Sequence, residues 1–298
     1  MGDRVHRERV PHHHLEAPFG SGRPVTVGTR RRSPLVPLGY VAFAVFVAFP
    51  LFWIATMAFK TFGDIIAVPP RFIFSPTLDN FTEVLSSGFP RNLLNSMIVS
   101  GGAVGLALLV GLPAAYVLAR GRIRAREHLA FTFLSFRFAP EFAIILPLFA
   151  IYQRSGLYDT YWGLVLAHQL LTLPLVIWIC RGFIEDVPYS LEEAALVDGA
   201  GPWHRLRHVV VPVIRPGIAA AVIIAFITSW NNLLLGLVLS GRNTTPVTMG
   251  ILEAMTFDQI RWGEMAASAF IAALPGVVIA VYLQRHLVRG LTMGALKQ

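Results

Sequence analysis

The chain has 298 residues, of which 55% are hydrophobic and 14% are charged. Soluble domains carry about 25% charged residues, so this composition excludes an ordinary soluble domain and indicates a membrane protein. The formal net charge of +8 is interpreted as a topology signal with some attraction to anionic lipid, and we expect no nucleic-acid partner.

The chain begins with a basic segment, residues 1–34, that contains few apolar residues. Such a composition cannot bury enough apolar surface to fold, so we predict a disordered tail. Its run His12-His13-His14 has no structured surroundings to orient the imidazoles, and we expect no metal there. No small-residue cleavage pattern accompanies the next apolar run, which is therefore predicted to be a retained span and not a signal peptide.

Six apolar runs are near or above the roughly 20 residues that a membrane-spanning helix needs. In chain order they cover residues 35–59, 93–119, 128–152, 162–183, 218–239 and 266–288. They lack the alternating polarity of β-barrel strands. The sequence predicts an all-α integral membrane protein with six transmembrane helices in a domain 35–289, followed by a tail 290–298. The single Cys180, inside the fourth run, excludes an intrachain disulfide and is expected to be a packed apolar thiol.

Lys and Arg are distributed unevenly between the connections. If the N-terminal tail is cytoplasmic, the inner side holds eighteen of them and the outer side six, with Arg137 left inside a span. This bias predicts that both termini are cytoplasmic. The long first outer connection, residues 60–90, is expected to present a surface to a partner.

Polar side chains inside the predicted spans either form interhelical hydrogen bonds or line a polar cavity. The candidates for cavity lining are Asn95, Arg137, Glu141, His168, Gln169, Asn231 and Asn232. Arg137 and Glu141 are four residues apart, so on one helix they would face each other and partly neutralise, although Pro140 between them can distort that helix. Their interpretations as a structural ion pair and as part of a transport path stay open.

Residues 187–217 form a polar, Pro- and Gly-punctuated connection between the fourth and fifth spans. Ser190 and Glu193 have the spacing of a capping box, and Gly199 stands where a C-terminal cap would, so we predict a short helix over 191–198. Gly201-Pro202 should end it, with another short helix over 203–210. The small apolar side chains of the first helix predict a docking surface. The pair His204 and His208 lacks a carboxylate motif and is not expected to bind metal.

This connection also resembles the EAA motif of importer-type ATP-binding-cassette permeases. The matching positions are Glu193, Ala194, Ala195, Gly199, Val209, Val211 and Pro212, with Val209 in place of Ile and Val211 in place of Leu. The runs GLYDTYWGL (156–164), SWNNLLLGLVLS (229–240) and RGLTMGALKQ (289–298) resemble the carbohydrate-uptake branch, specifically the maltose-permease G-type subunit. Asn232 stands where that branch often has an acidic residue.

The resemblance implies a MetI-like permease fold in the plasma membrane of a prokaryote, acting in an ATP-driven importer for a sugar or sugar-like solute. It implies a second homologous permease, two ATPase subunits and an extracytoplasmic solute-binding protein as partners. The implied coupling helix, seated on one ATPase subunit, includes Leu191, Glu193, Ala194, Ala195, Asp198 and Gly199. The C-terminal residues implied to contact the ATPase subunits are Gly290, Leu291, Thr292, Gly294 and Lys297. No cofactor is expected on this chain, with ATP and Mg²⁺ on the ATPase subunits.

The lysines argue independently that any ATP must be bound elsewhere. A phosphate-binding P-loop needs a Lys inside a Gly-rich turn, and the two lysines, Lys60 and Lys297, lie in no such turn. The chain is therefore expected to be a transport subunit and not an enzyme. The alternative is an ion- or proton-coupled secondary transporter. Such transporters commonly show paired repeats, but the first half of this sequence contains no second copy of the 187–217 pattern.

Overall fold

The computed structural model describes residues 35–121, 124–255 and 260–295, with side chains for 37–121, 124–255 and 260–283. The tail 1–34, with its His run, and Lys297 lie outside the described residues. The helices in chain order are α1 (Leu35–Ala58), α2 (Phe62–Ile65), α3 (Asp79–Ser86), α4 (Phe89–Arg120), α5 (Arg126–Ser135), α6 (Glu141–Ser155), α7 (Tyr161–Glu185), α8 (Tyr189–Val197), α9 (Pro202–Arg205), α10 (Val211–Val213), α11 (Arg215–Trp230), α12 (Leu234–Leu239), α13 (Val247–Leu252) and α14 (Trp262–Ala295).

Four helices, α1, α4, α7 and α14, are each long and apolar enough to cross a membrane. Two bent pairs, Arg126–Phe138 with Glu141–Ser155 and Pro202–Val213 with Arg215–Trp230, bring the total to six if each pair counts as one span. The predicted six spans are therefore present only if two of them are counted as bent pairs of helices.

The third span bends by 87° between a 3₁₀ turn, Phe136–Phe138, and α6. Ala139 is extended, with φ −64° and ψ 137°, because the ring of the following proline disfavours helical backbone in the residue before it. The predicted distortion at Pro140 is confirmed. The prediction that Arg137 and Glu141 face each other on one helix is wrong, since the two residues lie on opposite sides of the bend.

The fifth span ends earlier than predicted. Helix α11 stops at Trp230, and residues 234–239 form the separate helix α12. Asn231 caps α11, and the side-chain Oδ1 of Asn232 accepts a hydrogen bond from the N–H of Leu235 at 2.9 Å, which starts α12. Asn side chains compete in this way for main-chain groups, so two in succession favour a break.

The contacts divide the chain after Val47 into two units. In the first, residues 37–47 belong to α1 and their side chains are exposed. In the second, the main core includes residues from α4, α7, α11 and α14, represented by Ala107, Val176, Ala221 and Ala267.

Close helix contacts in this core depend on glycine. A Cβ added at Gly217 of α11 would lie 2.3 Å from Cγ of Phe183 on α7, and one at Gly111 of α4 would lie 3.1 Å from a methyl group of Val176 on α7. Small residues at such crossings let two backbones approach, which is the main way in which membrane helices gain packing energy.

The α6–α7 connection holds the α12–α13 loop through Asp159. Its carboxylate accepts hydrogen bonds from the N–H groups of Gly241, Asn243 and Thr244 and from the side chains of Asn243 and Thr244, at 2.8 to 3.1 Å. Burial alone would raise the pKa of Asp159, but these hydrogen bonds outweigh it and hold the pKa below its usual value.

Hydrogen bonds in the connection between α1 and α4 join its later residues back to its start. The amide of Asn80 donates to the carbonyl groups of Ala58 and Lys60, and the buried ammonium of Lys60 donates to the carbonyl of Arg71 at 2.8 Å. The same ammonium lies 4.4 Å from the ring centre of Trp53, a favourable cation–π distance. The partner surface expected here stays a prediction.

Candidate functional site

The short helix α8 lies between the fourth and fifth spans, where the sequence predicted it. It ends with Gly199 in the left-handed region at φ 79°, and the N–H groups of Gly199 and Ala200 bond back to the carbonyl groups of Leu196 and Ala195. This paired closure needs a residue that tolerates positive φ, which glycine does without steric cost. The predicted C-terminal cap is confirmed.

The predicted capping box is wrong. Helix α8 begins at Tyr189 after Pro188, and no side chain caps its N-terminus. The fixed φ of Pro188 starts the helix ahead of Ser190, which therefore lies inside the first turn, where its hydroxyl cannot cap. Both Ser190 and Glu193 are exposed instead.

Glu192, the residue before the EAA-type run, is the buried acidic group of α8, with 0% exposure. Its Oε2 accepts a hydrogen bond from the hydroxyl of Tyr116 at 2.6 Å, and its Oε1 accepts one from Nε of Arg120 at 2.7 Å. Arg120 also donates to the carbonyl of Val187 at 2.5 Å. The sequence does not predict this network, because Arg120 contributes there only to the charge bias and no local pattern shows which of the two adjacent glutamates is buried.

The rest of α8 is open and exposes large apolar side chains. Leu191, Leu196 and Val197 are 46%, 53% and 88% exposed. Beside it lies an open pocket of about 350 Å³ lined by Ala195, Asp198, Gly199, Ala200, Gly201, His204 and Val209. The rings of His204 and His208 stack at 4.2 Å. Within the described residues, no group of three His, Cys, Asp or Glu residues is placed to hold a metal.

The second short helix of the connection also differs from prediction. The chain turns helical at Pro202, passes through a π-helical turn over Leu206–Val210 and continues into α10. Helix α14 continues to Ala295, so the backbone of Gly290, Leu291, Thr292 and Gly294 is part of its last turns.

Three of the predicted cavity residues have partners inside the protein. Asn95 donates to the carbonyl groups of Asn243 and Thr245 and accepts from the hydroxyl of Tyr161. His168 bonds through Nδ1 to the carbonyl of Leu164, and Gln169 donates to the carbonyl groups of Ala103 and Val165. These contacts favour hydrogen bonding within the helix bundle over cavity lining for these three.

The other four predicted cavity residues line pockets, and His168 shares the small pocket beside Asn232. Arg137 and Glu141 line a small pocket at the bend of the third span, and no ion pair joins them in the part of the chain that the structure describes. The amide of Asn232 donates to the carboxylate of Glu141 at 3.3 to 3.4 Å. Asn231 lines a larger open cavity of about 510 Å³ between α11, α13 and α14.

Spans that are long and apolar enough to cross a membrane, with a short exposed helix between the fourth and fifth, are the arrangement of a multi-pass membrane protein. A family model described as the binding-protein-dependent transport system inner membrane component matches residues 107–293. Since that match covers more than half of the chain, the chain belongs to this family of multi-pass transporter permeases, and the permease reading is favoured over the secondary-transporter alternative.

Known relatives agree with this assignment. The chain is similar to the diacetylchitobiose uptake system permease protein DasC of Streptomyces coelicolor, at 33% identity over 256 residues, which cover 84% of this chain and 92% of DasC. It is equally similar to the trehalose transport system permease protein SugB of Mycobacterium tuberculosis, at 33% identity over 259 residues, or 83% and 92% of the two chains.

A solved structure shows the same fold. A chain of a bacterial ABC transporter involved in the import of the acidic polysaccharide alginate matches with a TM-score of 0.71 at 19% identity, covering 84% of this chain and 94% of that chain. The predicted all-α, MetI-like permease fold is confirmed.

Proposed function

We propose that this chain is the permease subunit of an ATP-driven importer for a sugar or sugar-like solute. The observation that carries the proposal is the exposed face of α8, in a chain that belongs to the permease family. Support for the solute class comes from relatives such as DasC and SugB, whose names state diacetylchitobiose and trehalose transport.

Helix α8 serves as the coupling helix in this proposal. Large apolar side chains on a short polar-flanked helix are typical of a surface that another protein covers. Glu193 is exposed and makes no ion pair within the described residues, so its carboxylate is available to a basic group of an ATPase subunit. Residues 290–298 would reach the same subunits.

The remaining partners follow from the same assignment. A second homologous permease completes the pathway, a solute-binding protein delivers the solute on the outer side, and two ATPase subunits hold ATP and Mg²⁺. The distribution of Lys and Arg supports cytoplasmic termini, with α8 on the inner side.

The bend of the third span supports a polar path at mid-depth. Its pocket includes Leu170 and Leu171, which lie near the middle of α7 (Tyr161–Glu185). An exposed charged side chain at that depth costs about 2.5–3.5 kcal/mol when it faces lipid. We therefore place Arg137 and Glu141, with Asn232, toward the path between the two permeases.

The proposal is tested by purifying the chain with the subunits that accompany it and reconstituting the complex in liposomes. We expect ATPase subunits to copurify, and trehalose or diacetylchitobiose, offered with the solute-binding protein, to stimulate ATP hydrolysis. The isolated chain should not hydrolyse ATP. Turnover by the isolated chain, or a complex without an ATPase subunit, would contradict the proposal.

Coupling is tested with Glu193→Arg. Reversal of charge on the docking face should lower solute-stimulated ATP hydrolysis by about fivefold or more, the lower end of a typical coupling between sites. Glu253→Arg makes the same change at an exposed position after α13, outside both α8 and the connection 60–90, and should leave hydrolysis unchanged. Equal activity of both variants would exclude α8 as the coupling helix.

A further inference from the structure

Helix α8 is attached to the bundle through a buried polar joint at the inner end of α4. Glu192 is fully buried, and both of its partners, Tyr116 and Arg120, belong to the last two turns of α4. Arg120 additionally donates to the carbonyl of Val187, just ahead of α8, and its guanidinium lies 5.6 Å from the ring centre of Tyr189. Arg120 therefore contacts both the segment that leads into α8 and the first turn of α8.

This joint differs from the other ion pairs of the described residues. The side chains of Arg120 and Glu192 are 15% and 0% exposed, whereas every other pair includes a partner that is at least 36% exposed. Charges removed from water interact strongly and are held in one geometry by their hydrogen bonds. A displacement of α8 must therefore move the inner end of α4 or break this network.

The outer end of α4 is bonded just as specifically. Asn95 donates to the carbonyl groups of Asn243 and Thr245, and the hydroxyl of Ser96 accepts a hydrogen bond from the N–H of Val247 at 2.8 Å. At 1.5 Å per residue, the 32 residues of α4 extend about 48 Å. One helix therefore connects the inner joint to the outer loop between α12 and α13.

The interior of α4 is supported against bending. Pro113 removes one main-chain hydrogen bond, but two residues earlier Gly111 allows α7 to approach until an added Cβ would lie 3.1 Å from Val176. Close packing of this kind transmits displacement because packed interiors compress little.

From these contacts we infer that Glu192, Tyr116 and Arg120 form a transmission joint, and that α4 carries movement of α8 to the outer loop 241–247. The inference rests on the proposed function, since an ATPase subunit must move α8. Glu192 is a positioning residue in this scheme: it does not touch the ATPase, in contrast to the exposed Glu193.

The test uses a fluorescent reporter on the outer loop of the complete complex, with the same solute and solute-binding protein present in every sample, so that only ATP differs between the compared states. An environment-sensitive fluorophore is attached to Arg242→Cys, an exposed position, while the native Cys180 is buried. ATP with orthovanadate traps the ATPase subunits, and the trapped nucleotide is counted separately from the fluorescence change.

Glu192→Gln keeps the shape of the side chain and removes its charge. We expect the ATP-dependent fluorescence change to fall by about fivefold or more, as for the loss of a coupling free energy of ordinary size, while trapped nucleotide is unchanged. Asn95→Ala at the other end of α4 should also reduce the change. The control Glu185→Gln, whose ion pair with Arg181 stays within α7, should retain it.

The outcomes separate the two proposals. A complex that traps no nucleotide, or whose unmodified α8 gives no fluorescence response, contradicts the proposed function. A normal response in Glu192→Gln overturns the joint while leaving the coupling helix in place. Loss of the ATPase subunit from the Glu192→Gln complex would also overturn the joint, because Glu192 would then act in assembly.

Combining Tyr116→Phe with Glu192→Gln should reduce the fluorescence change little further than Glu192→Gln alone, since both substitutions remove the same network.

Discussion

Asp159 shows how one side chain determines the form of a loop. Its backbone lies in the left-handed region at φ 55°, which aspartate tolerates better than most residues. Its two carboxylate oxygens accept hydrogen bonds from three residues of the loop 241–244. The loop therefore depends on an acceptor supplied from more than 80 positions away.

Asp159→Asn should destabilise the protein by about 2 kcal/mol, because hydrogen bonds to a charged group are lost and an amide N–H₂ is turned toward donors. The folded pKa of Asp159 lies below its value of 3.8 in an unfolded chain. Its contribution is therefore complete above about pH 4 and is lost as the pH falls through the folded pKa. Thermal unfolding in detergent should show a difference between the two proteins that is constant near neutrality and shrinks in acid.

Asp79→Asn provides the matched control, since Asp79 is exposed at the start of α3. Loss of its charge there should cost at most about 1 kcal/mol, the usual size of a helix-terminus effect. If Asp159→Asn were no worse than this control at neutral pH, the hydrogen bonds would not stabilise the loop.

How far the sequence predicts the residues of the candidate site depends on whether a local rule applies. Gly199 follows from helix termination, which is local. Glu192 does not, because Glu192 and Glu193 have the same chemistry and only the position of α4 decides which one is buried. The predicted capping box is wrong for a related reason. Pro188 sets the start of the helix at Tyr189, so Ser190 lies inside the first turn, where its hydroxyl cannot cap the helix.

At the scale of elements, the crossing of α7 and α11 depends on the absence of a side chain at Gly217. The ring and Cβ of Phe183 occupy the space where a Cβ would be, at 2.3 to 2.8 Å. The sequence predicts the distortion at Pro140 but not the break after Trp230, and other prolines such as Pro113 and Pro174 lie inside helices. The distances between helices are not predictable from local sequence, because they depend on residues far apart in the chain.

Gly217→Ala should destabilise the bundle by about 1–3 kcal/mol, since α11 or Phe183 must shift to accommodate the methyl group. Gly182→Ala lies next to Phe183 within α7, and an added Cβ there meets nothing within 4 Å. Because alanine favours a helix interior over glycine, this change should leave stability unchanged or raise it by up to about 1 kcal/mol. The midpoints of thermal unfolding in detergent measure both. Equal midpoints for the two variants would refute the close contact.

At the scale of the whole molecule, composition alone predicted the class of fold, because a chain with this much apolar surface requires a bilayer. The third predicted span is a pair of helices bent at residues 139–140, and the fifth ends at Trp230 and is joined by a bend of 82° at Ile214 to the helical segment before it. The charge bias also predicts one orientation, with α8 on the inner side.

Two single cysteines test that orientation, because Cys180 is buried and does not compete. Ser75→Cys, in the connection between α2 and α3, and Asp186→Cys, just after α7, are both at exposed positions. In intact cells a membrane-impermeant maleimide should label the first and reach the second only after permeabilisation. The opposite pattern would reverse the topology.

The hydrogen bonds at the Asn95 end of α4 also bear on how the protein is made. Asn95 meets partners 148 and 150 positions later, and synthesis at about 5–20 residues per second needs roughly 7–30 s to reach them. During that interval α4 carries polar side chains whose final partners do not yet exist. The newly made helix should therefore stay beside the insertion machinery, or hold water, until α12 and α13 arrive, and chains stopped before Gly241 should remain in reach of quality-control proteases.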